Sequence, residues 1–122
     1  MDVISNFIIK IKNAVSARHE SVSVPYSKLK FSIAGVLKRE GFIRDFKEKS
    51  EKGRRVIMIS GPAVRGVERL SKPSKRIYKK SAEIRPVKNG YGALVLSTSS
   101  GVMTGKEAKR AKLGGEALFS IW

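Results

Sequence analysis

Apolar residues recur at helical spacing in two stretches near the amino terminus. The first stretch covers one helical face, and its members are Ile4, Phe7, Ile8, Ile11 and Val15. Asp2 is well placed to begin this helix as its N-cap. The second stretch, residues 29–37, predicts an amphipathic helix that begins after Ser27 and ends at Gly41.

Short alternating and apolar runs predict the strands that accompany these helices. Residues 21–24 alternate like a short strand between the two helices. Residues 42–48 and 54–60 are typical of a hairpin around Glu51-Lys52-Gly53, and the second strand carries the apolar run Val56-Ile57-Met58-Ile59. The first part of the chain is therefore predicted to fold in the order α-β-α-β-β.

The rest of the chain predicts a second lobe built mostly from strands. Gly61-Pro62 interrupts the pattern, and the less regular segment 63–71 bridges the two lobes. The expected elements are strands at 83–87, 93–99 and 116–122, a turn at Gly90-Tyr91-Gly92 and a helix at 105–112. We therefore predict an α+β fold of two small α/β lobes, an N-terminal lobe at 1–64 and a C-terminal lobe at 65–122.

Four consecutive hydroxyl residues, Ser97-Thr98-Ser99-Ser100, follow the apolar strand that begins at Ala93, and Gly101 is expected to open a turn. Downstream, Thr104 and Glu107 have the spacing of a capping box at a helix start. Small hydroxyl side chains at such a corner suit close approach to sugar hydroxyls and base edges. The alternative is that they only close the strand end and cap the helix.

Charge narrows the class of partner. The chain has 26 Lys and Arg against 10 Asp and Glu, a formal charge of +16, which concentrates polyanions at its surface. Nucleic acid is the first candidate partner. A membrane is a poor one, because no apolar run approaches the roughly 20 residues of a spanning helix and the amino terminus lacks a signal pattern. The absence of cysteine is consistent with a cytoplasmic location.

The segment 72–80 carries five basic residues around Pro73 and Tyr78. Lys72, Lys75 and Arg76 could hold phosphates while Tyr78 stacks or hydrogen-bonds on a nucleotide. The alternative is a solvated basic loop with Tyr78 in the core.

Further candidates lie in the first lobe. Lys28 and Lys30 fall in the first turn of the second helix, where the helix dipole already favours an anion such as phosphate. Lys10, Lys12 and Asn13 point away from the apolar stripe of the first helix, where they could meet RNA backbone or only water.

Enzymatic interpretations gain little from the sequence. His19 is the only histidine, and Asp2 and Asp45 are the only aspartates, so neither a paired-carboxylate metal centre nor a catalytic cluster is apparent. We expect no catalysis, no cofactor, no metal and no small-molecule substrate.

The ordered set of motifs resembles, over essentially the whole chain, the bacterial-type family of the eighth protein of the small ribosomal subunit. The motifs are Lys12-Asn13-Ala14, the segment Pro25-Tyr26-Ser27-Lys28-Leu29-Lys30, Glu40-Gly41-Phe42-Ile43, Ser71-Lys72-Pro73, Arg76-Ile77-Tyr78 and Ser97 to Thr104 with Gly114-Gly115-Glu116 and Trp122.

This resemblance implies direct binding to a stem in the central domain of small-subunit rRNA, during assembly, and contacts with neighbouring ribosomal proteins. It leaves open repression of the protein's own operon messenger. The expected rRNA-binding residues are Ser97, Thr98, Ser99, Gly101, Lys28, Lys30, Asn13, Lys72, Pro73, Lys75, Arg76 and Tyr78. The rival interpretation, a basic DNA-binding or nucleoid architectural protein, needs a groove-reading helix or a flexible basic arm, and neither is evident.

Overall fold

Two compact units, Val3–Arg65 and Gly66–Trp122, make up the chain. The computed structural model describes residues 3–87 and 92–122. The elements of the first unit are α1 (Val3–Ser16), β1 (Ser21–Pro25), α2 (Lys28–Arg39), β2 (Asp45–Glu51) and β3 (Arg54–Ser60). The predicted α-β-α-β-β order is therefore confirmed. The predicted N-cap Asp2 lies outside the described residues, as do residues 90 and 91 of the predicted turn.

The apolar stripes and strand β3 supply the core of the first unit. Phe7 and Ile11 on α1 are each 1% exposed, and Ile33 and Leu37 on α2 are fully buried. The antiparallel sheet has the order β1-β3-β2, so β3 is central. Its residue Ile57 lies opposite Val24 of β1 and is fully buried. The near-continuous apolar run of β3 follows from this central position.

The ends of α2 are set by local chemistry. The Ser27 hydroxyl oxygen accepts a hydrogen bond from the Lys30 backbone N–H at 3.1 Å, as expected of an N-cap. At the other end Gly41 has φ +82°, and the Phe42 N–H donates to the Leu37 carbonyl oxygen at 2.9 Å. The prediction that a strand begins at residue 42 is wrong, because this residue closes the helix end, and β2 begins at Asp45.

Five strands form the sheet of the second unit. The elements are β4 (Val67–Arg69), β5 (Tyr78–Lys79), a 3₁₀ turn (Ser81–Glu83), β6 (Ala93–Thr98), β7 (Gly101–Thr104), α3 (Gly105–Arg110) and β8 (Gly115–Ile121). All strand pairs are antiparallel, the main order is β4-β8-β6-β7, and β5 pairs with β8. The α+β class with a mostly β second unit is confirmed.

Several expectations in the second unit need correction. The strand expected at 83–87 is absent. Glu83 closes the 3₁₀ turn by accepting a hydrogen bond from the Lys80 N–H at 2.8 Å, and Ile84 is buried while Val87 is partly buried against the same cluster. Gly101 begins β7 and does not open a turn, and strands β4, β5 and β7 were not expected. The helix expected at 105–112 ends at Arg110, and the last strand begins at Gly115 rather than at 116.

A small apolar cluster holds α3 against the sheet. Its buried members are Ile84, Leu94, Leu96, Ala108 and Ala117. Thr104 and Glu107 form the predicted capping box, in which the Thr104 hydroxyl accepts from the Glu107 N–H at 3.2 Å. The hairpin β6–β7 is thereby anchored at both of its ends, by the core and by the helix start.

Candidate nucleic-acid interface

The hydroxyl run forms the tip of the β6–β7 hairpin. Thr98 and Gly101 are the last paired residues, so Ser99 and Ser100 make the turn. The Thr98 hydroxyl donates a hydrogen bond to the Gly101 carbonyl oxygen at 2.8 Å and accepts one from the Ser100 N–H at 3.2 Å. Gly101 has φ +110°, a conformation that favours glycine. Thr98 and Gly101 therefore shape the turn directly.

The hydroxyls of Ser97 and Ser99 differ from the Thr98 hydroxyl in their hydrogen bonding. Ser99 is exposed and Ser97 is half-buried. Within the described part of the chain, neither side chain has a hydrogen-bond partner. These two hydroxyls can therefore donate and accept hydrogen bonds with an outside ligand.

Two consecutive glycines set the spacing between the hydroxyl turn, β8 and the basic segment. A Cβ on Gly115 would stand 2.3 Å from the Ser97 carbonyl oxygen, and one on Gly114 would stand 2.6 Å from the Lys79 carbonyl oxygen. Both contacts are with backbone, which cannot rotate away as a side chain can. A larger residue at either position would separate the strands.

Strand pairing brings the two predicted binding segments into one row. On β8, Glu116 lies opposite Tyr78 of β5 on one side and opposite Ser97 of β6 on the other. Directly opposed residues in a sheet point to the same face, so these three side chains share one face. Tyr78 is 68% exposed, and the interpretation that placed it in the core is therefore wrong.

Glu116 organises the start of the basic segment. Its carboxylate accepts hydrogen bonds from the fully buried Ser71 hydroxyl and from Arg76 Nη1, the latter at 3.1 Å. The same Ser71 hydroxyl accepts from the Ile77 N–H at 3.2 Å. Partial burial pushes the pKa of Glu116 upward, but the hydrogen bonds from Ser71 and Arg76 outweigh it and hold the pKa below its usual value.

The residues between Ser71 and Arg76 form a tight basic turn. Lys72 and Lys75 exchange two backbone hydrogen bonds of 2.9 Å around Pro73 and Ser74, and all four side chains are exposed. Arg76 is also exposed, although Glu116 holds it. The turn thus presents two lysines to solvent beside the row that contains Tyr78 and Ser97.

The other predicted residues belong to the first unit. Asn13 is exposed on α1. Lys28 and Lys30 lie in the first turn of α2 as predicted, but Lys28 is exposed whereas Lys30 is only 7% exposed. Burial, together with the nearby Lys10 ammonium, lowers the pKa of Lys30. The two lysines therefore have different surroundings.

Sequence reasoning did not predict that Glu116 and Ser71 fix the basic turn. The sequence signal that could have indicated Glu116 was an acid directly after Gly114-Gly115 in a strongly basic chain. Ser71 carried no such signal, because its role depends on a residue 45 positions away. Lys10 was named as a residue that could meet RNA backbone, but its place in one groove with Lys30, 20 positions away, was not predicted.

No group of three or more His, Asp or Glu side chains that could hold a metal ion occurs within residues 3–87 and 92–122. Of the helices that the structure describes, none is long and apolar enough to cross a membrane.

The fold and its exposed groups define a class. A chain of charge +16 that presents free hydroxyls, an exposed aromatic ring and lysines at one end of a sheet has the features of a nucleic-acid-binding protein. More specifically, the chain belongs to the ribosomal protein S8 family, whose family model matches residues 2–122.

Curated relatives agree with this assignment. The chain is 41% identical to small ribosomal subunit protein uS8 of Bdellovibrio bacteriovorus, with 100% of both chains covered. It is 46% identical to the uS8 of Nitratidesulfovibrio vulgaris, over 99% of this chain and 98% of the relative. Family membership confirms the prediction of a structural ribosomal protein rather than an enzyme, and the DNA-binding alternative gains no support.

Proposed function

We propose that this chain is a structural component of the small ribosomal subunit that binds a stem in the central domain of small-subunit rRNA. The C-terminal lobe, 65–122, supplies the specific RNA contacts. The chain as a whole also contacts neighbouring ribosomal proteins in the ribosome of the cytoplasm. The row of Tyr78, Glu116 and Ser97 carries this proposal, because it joins the hydroxyl turn and the basic turn on one sheet.

Each part of the surface has a distinct task. Ser97 and Ser99 hydrogen-bond to base edges and ribose hydroxyls, which only an RNA offers in this combination. Gly101 and Thr98 hold the turn that presents them. Tyr78 stacks or hydrogen-bonds on a nucleotide.

The basic groups attract RNA of any base sequence. In the second unit Lys72, Lys75 and Arg76 lie on the basic turn beside Pro73, and they contact the phosphate backbone. In the first unit Lys28, Lys30 and Asn13 add further backbone contacts. Repression of the operon messenger would use the same surface if that messenger contains a stem of similar shape.

The test compares an RNA stem that has an irregular core with the DNA version of the same sequence and with a regular RNA duplex of equal length. We expect the irregular RNA to bind at least about tenfold more tightly than either control at the same salt concentration. Equal affinity for all three would reject specific RNA recognition. A preference for the DNA would restore the DNA-binding alternative.

A further inference from the structure

A groove in the first unit lies between α1, the end of β1 and the first turn of α2. Its volume is ≈ 420 Å³, which falls within the range of about 300–1,000 Å³ typical of small-ligand sites. The residues that line it include the apolar Ile9, Val24 and Pro25 and the polar Asn6, Lys10 and Lys30. Neither Asn6 nor Ile9 is among the predicted rRNA-binding residues.

Lys30 is the unusual member of this groove. It is 7% exposed, yet within the described residues its ammonium makes no hydrogen bond or ion pair. Among the described residues, no fully buried side-chain nitrogen or oxygen lacks a partner. Because the Lys30 nitrogen has no partner, it cannot be fully buried, and it reaches solvent through the groove. A cation in an apolar setting is costly unless an anion accompanies it.

None of the described residues that line the groove is acidic. Burial lowers the pKa of Lys30, and the nearby Lys10 ammonium lowers it further. Among the described residues, an ion pair therefore does not explain why a lysine stands at position 30. An anion from outside the chain would be complementary to the two ammonium groups.

The apolar and amide groups that line the groove indicate a ligand that has more than a negative charge. Ile9 is 45% exposed, a high value for a large apolar residue, and Pro25 adds an apolar surface. The Asn6 amide can donate and accept hydrogen bonds, as a base edge or a ribose hydroxyl requires. Inorganic phosphate would use only the two lysines, whereas a nucleotide would use the cations, the apolar walls and the amide. In a duplex the base faces are stacked and unavailable, so the nucleotide must be unpaired.

We propose that this groove binds one unpaired nucleotide of the RNA partner, with its phosphate held by Lys10 and Lys30 and its base or sugar against Ile9 and Pro25. This site rests on the proposed function, because it assumes an RNA partner. It deepens that function by assigning a nucleotide-binding role to Asn6, Ile9 and Lys10.

The first test measures affinity for the irregular RNA stem over a series of salt concentrations. Lys30→Met keeps the apolar stem of the side chain and removes its charge, so the fold should persist. We expect about tenfold weaker binding and a slope of log affinity against log salt that is smaller by about 0.7 to 0.9. Lys49→Met, at an exposed position on β2, is the matched control and should change affinity less than about twofold.

A second variant separates the apolar wall from the charge. Ile9→Ser should weaken binding by roughly three- to tenfold while the salt slope stays unchanged, since no phosphate contact is lost. If Lys30→Met and Ile9→Ser both bind like the wild type, or if Lys49→Met weakens binding as much as Lys30→Met, the groove is not an RNA site.

Small probes identify the occupant by NMR, with the Ile9 methyl and Lys30 side-chain signals as reporters. Adenosine monophosphate should shift both signals saturably in the wild type and should leave the Ile9 methyl signal unshifted in Lys30→Met. Inorganic phosphate should bind the wild type about tenfold more weakly. Equal affinity for phosphate would reject the base or sugar contact. Tighter binding of the peptide acetyl-Leu-Asp-Leu-Glu-amide would instead assign the groove to an acidic protein partner.

Failure of this inference differs from failure of the proposed function. If the wild type prefers the irregular RNA but the groove variants and probes show no effect, only the nucleotide site is rejected. If the wild type shows no preference for the irregular RNA, the proposed function is rejected whatever the probes show.

Discussion

Thr98 and Ser99 are neighbours in the hydroxyl run, but their side chains have different tasks. The Thr98 hydroxyl makes two hydrogen bonds within the turn, whereas the exposed Ser99 hydroxyl has no partner in the described part of the chain. A structural role and a binding role can therefore be separated by single substitutions at adjacent positions.

We predict that Ser99→Ala weakens binding of the irregular RNA by about 1–3 kcal/mol and leaves the free energy of unfolding within about 0.5 kcal/mol of the wild type. Thr98→Val should lower the free energy of unfolding by about 1 kcal/mol, because it leaves the Ser100 N–H without its acceptor. Urea unfolding and affinity measurements on both variants check this. A loss of affinity in Ser99→Ala that equally affects the regular duplex would show that its hydroxyl reads nothing specific.

At the scale of elements, β8 connects the binding segments. This strand pairs with β5 and with β6, and its residue Glu116 lies opposite a residue of each. Gly114 and Gly115, which precede Glu116, let the neighbouring backbones approach closely. Glu116 also holds Ser71 and Arg76, so a single carboxylate determines where the basic turn leaves the sheet. This positioning role explains why an acid lies in the surface that we propose binds RNA.

The pKa of Glu116 gives this role a measurable signature. Because the pKa in the folded state lies below the ordinary value of 4.5, the carboxylate stabilises the fold above that value, and this contribution is lost as pH falls through the folded-state pKa. We predict that Glu116→Gln lowers the free energy of unfolding by about 1–3 kcal/mol at neutral pH, and that the difference from the wild type shrinks as pH falls below about 4.5.

Urea unfolding of the wild type and Glu116→Gln over a pH series measures this difference. Asp45 and Glu48 also have lowered pKa values. The wild type and Glu116→Gln both contain these two residues, so their effects cancel in the comparison. A difference that stays constant through the acid range would mean that the charge of Glu116 does not matter.

At the scale of the whole molecule, the net charge of +16 governs the general attraction to RNA. The lysines that we propose as phosphate contacts occur in both units, since Lys28 lies in the first and Lys72 and Lys75 lie in the second. Each lysine that neutralises a phosphate adds a defined increment to the salt dependence of binding, which individual substitutions can count.

We predict that Lys28→Gln and Lys75→Gln each reduce the slope of log affinity against log salt by about 0.7 to 0.9 and weaken all RNA stems alike. The double variant should lose the sum of the two, because each lysine is expected to neutralise its own phosphate. Affinities measured between low and physiological salt on the irregular and regular stems check this. An unchanged slope for either variant would remove that lysine from the phosphate-binding surface.

The sequence by itself determined the helices, the chemistry of their ends and the class of partner. The helical stripes, the Ser27 and Gly41 caps of α2 and the Thr104–Glu107 capping box were all predictable, since each depends on residues within one or two turns. Charge is additive, so the preference for a polyanion followed from composition.

Only the tertiary structure decided how the binding groups meet. Tyr78 and Ser97 come together because both strands pair with β8, whose Glu116 lies far from each of them along the chain. The environment of Lys30 was decided in the same way, by α1 and β1 packing around it, which buried one lysine of the first turn and left Lys28 exposed. Such contacts depend on long-range packing and pairing, which local spacing does not encode.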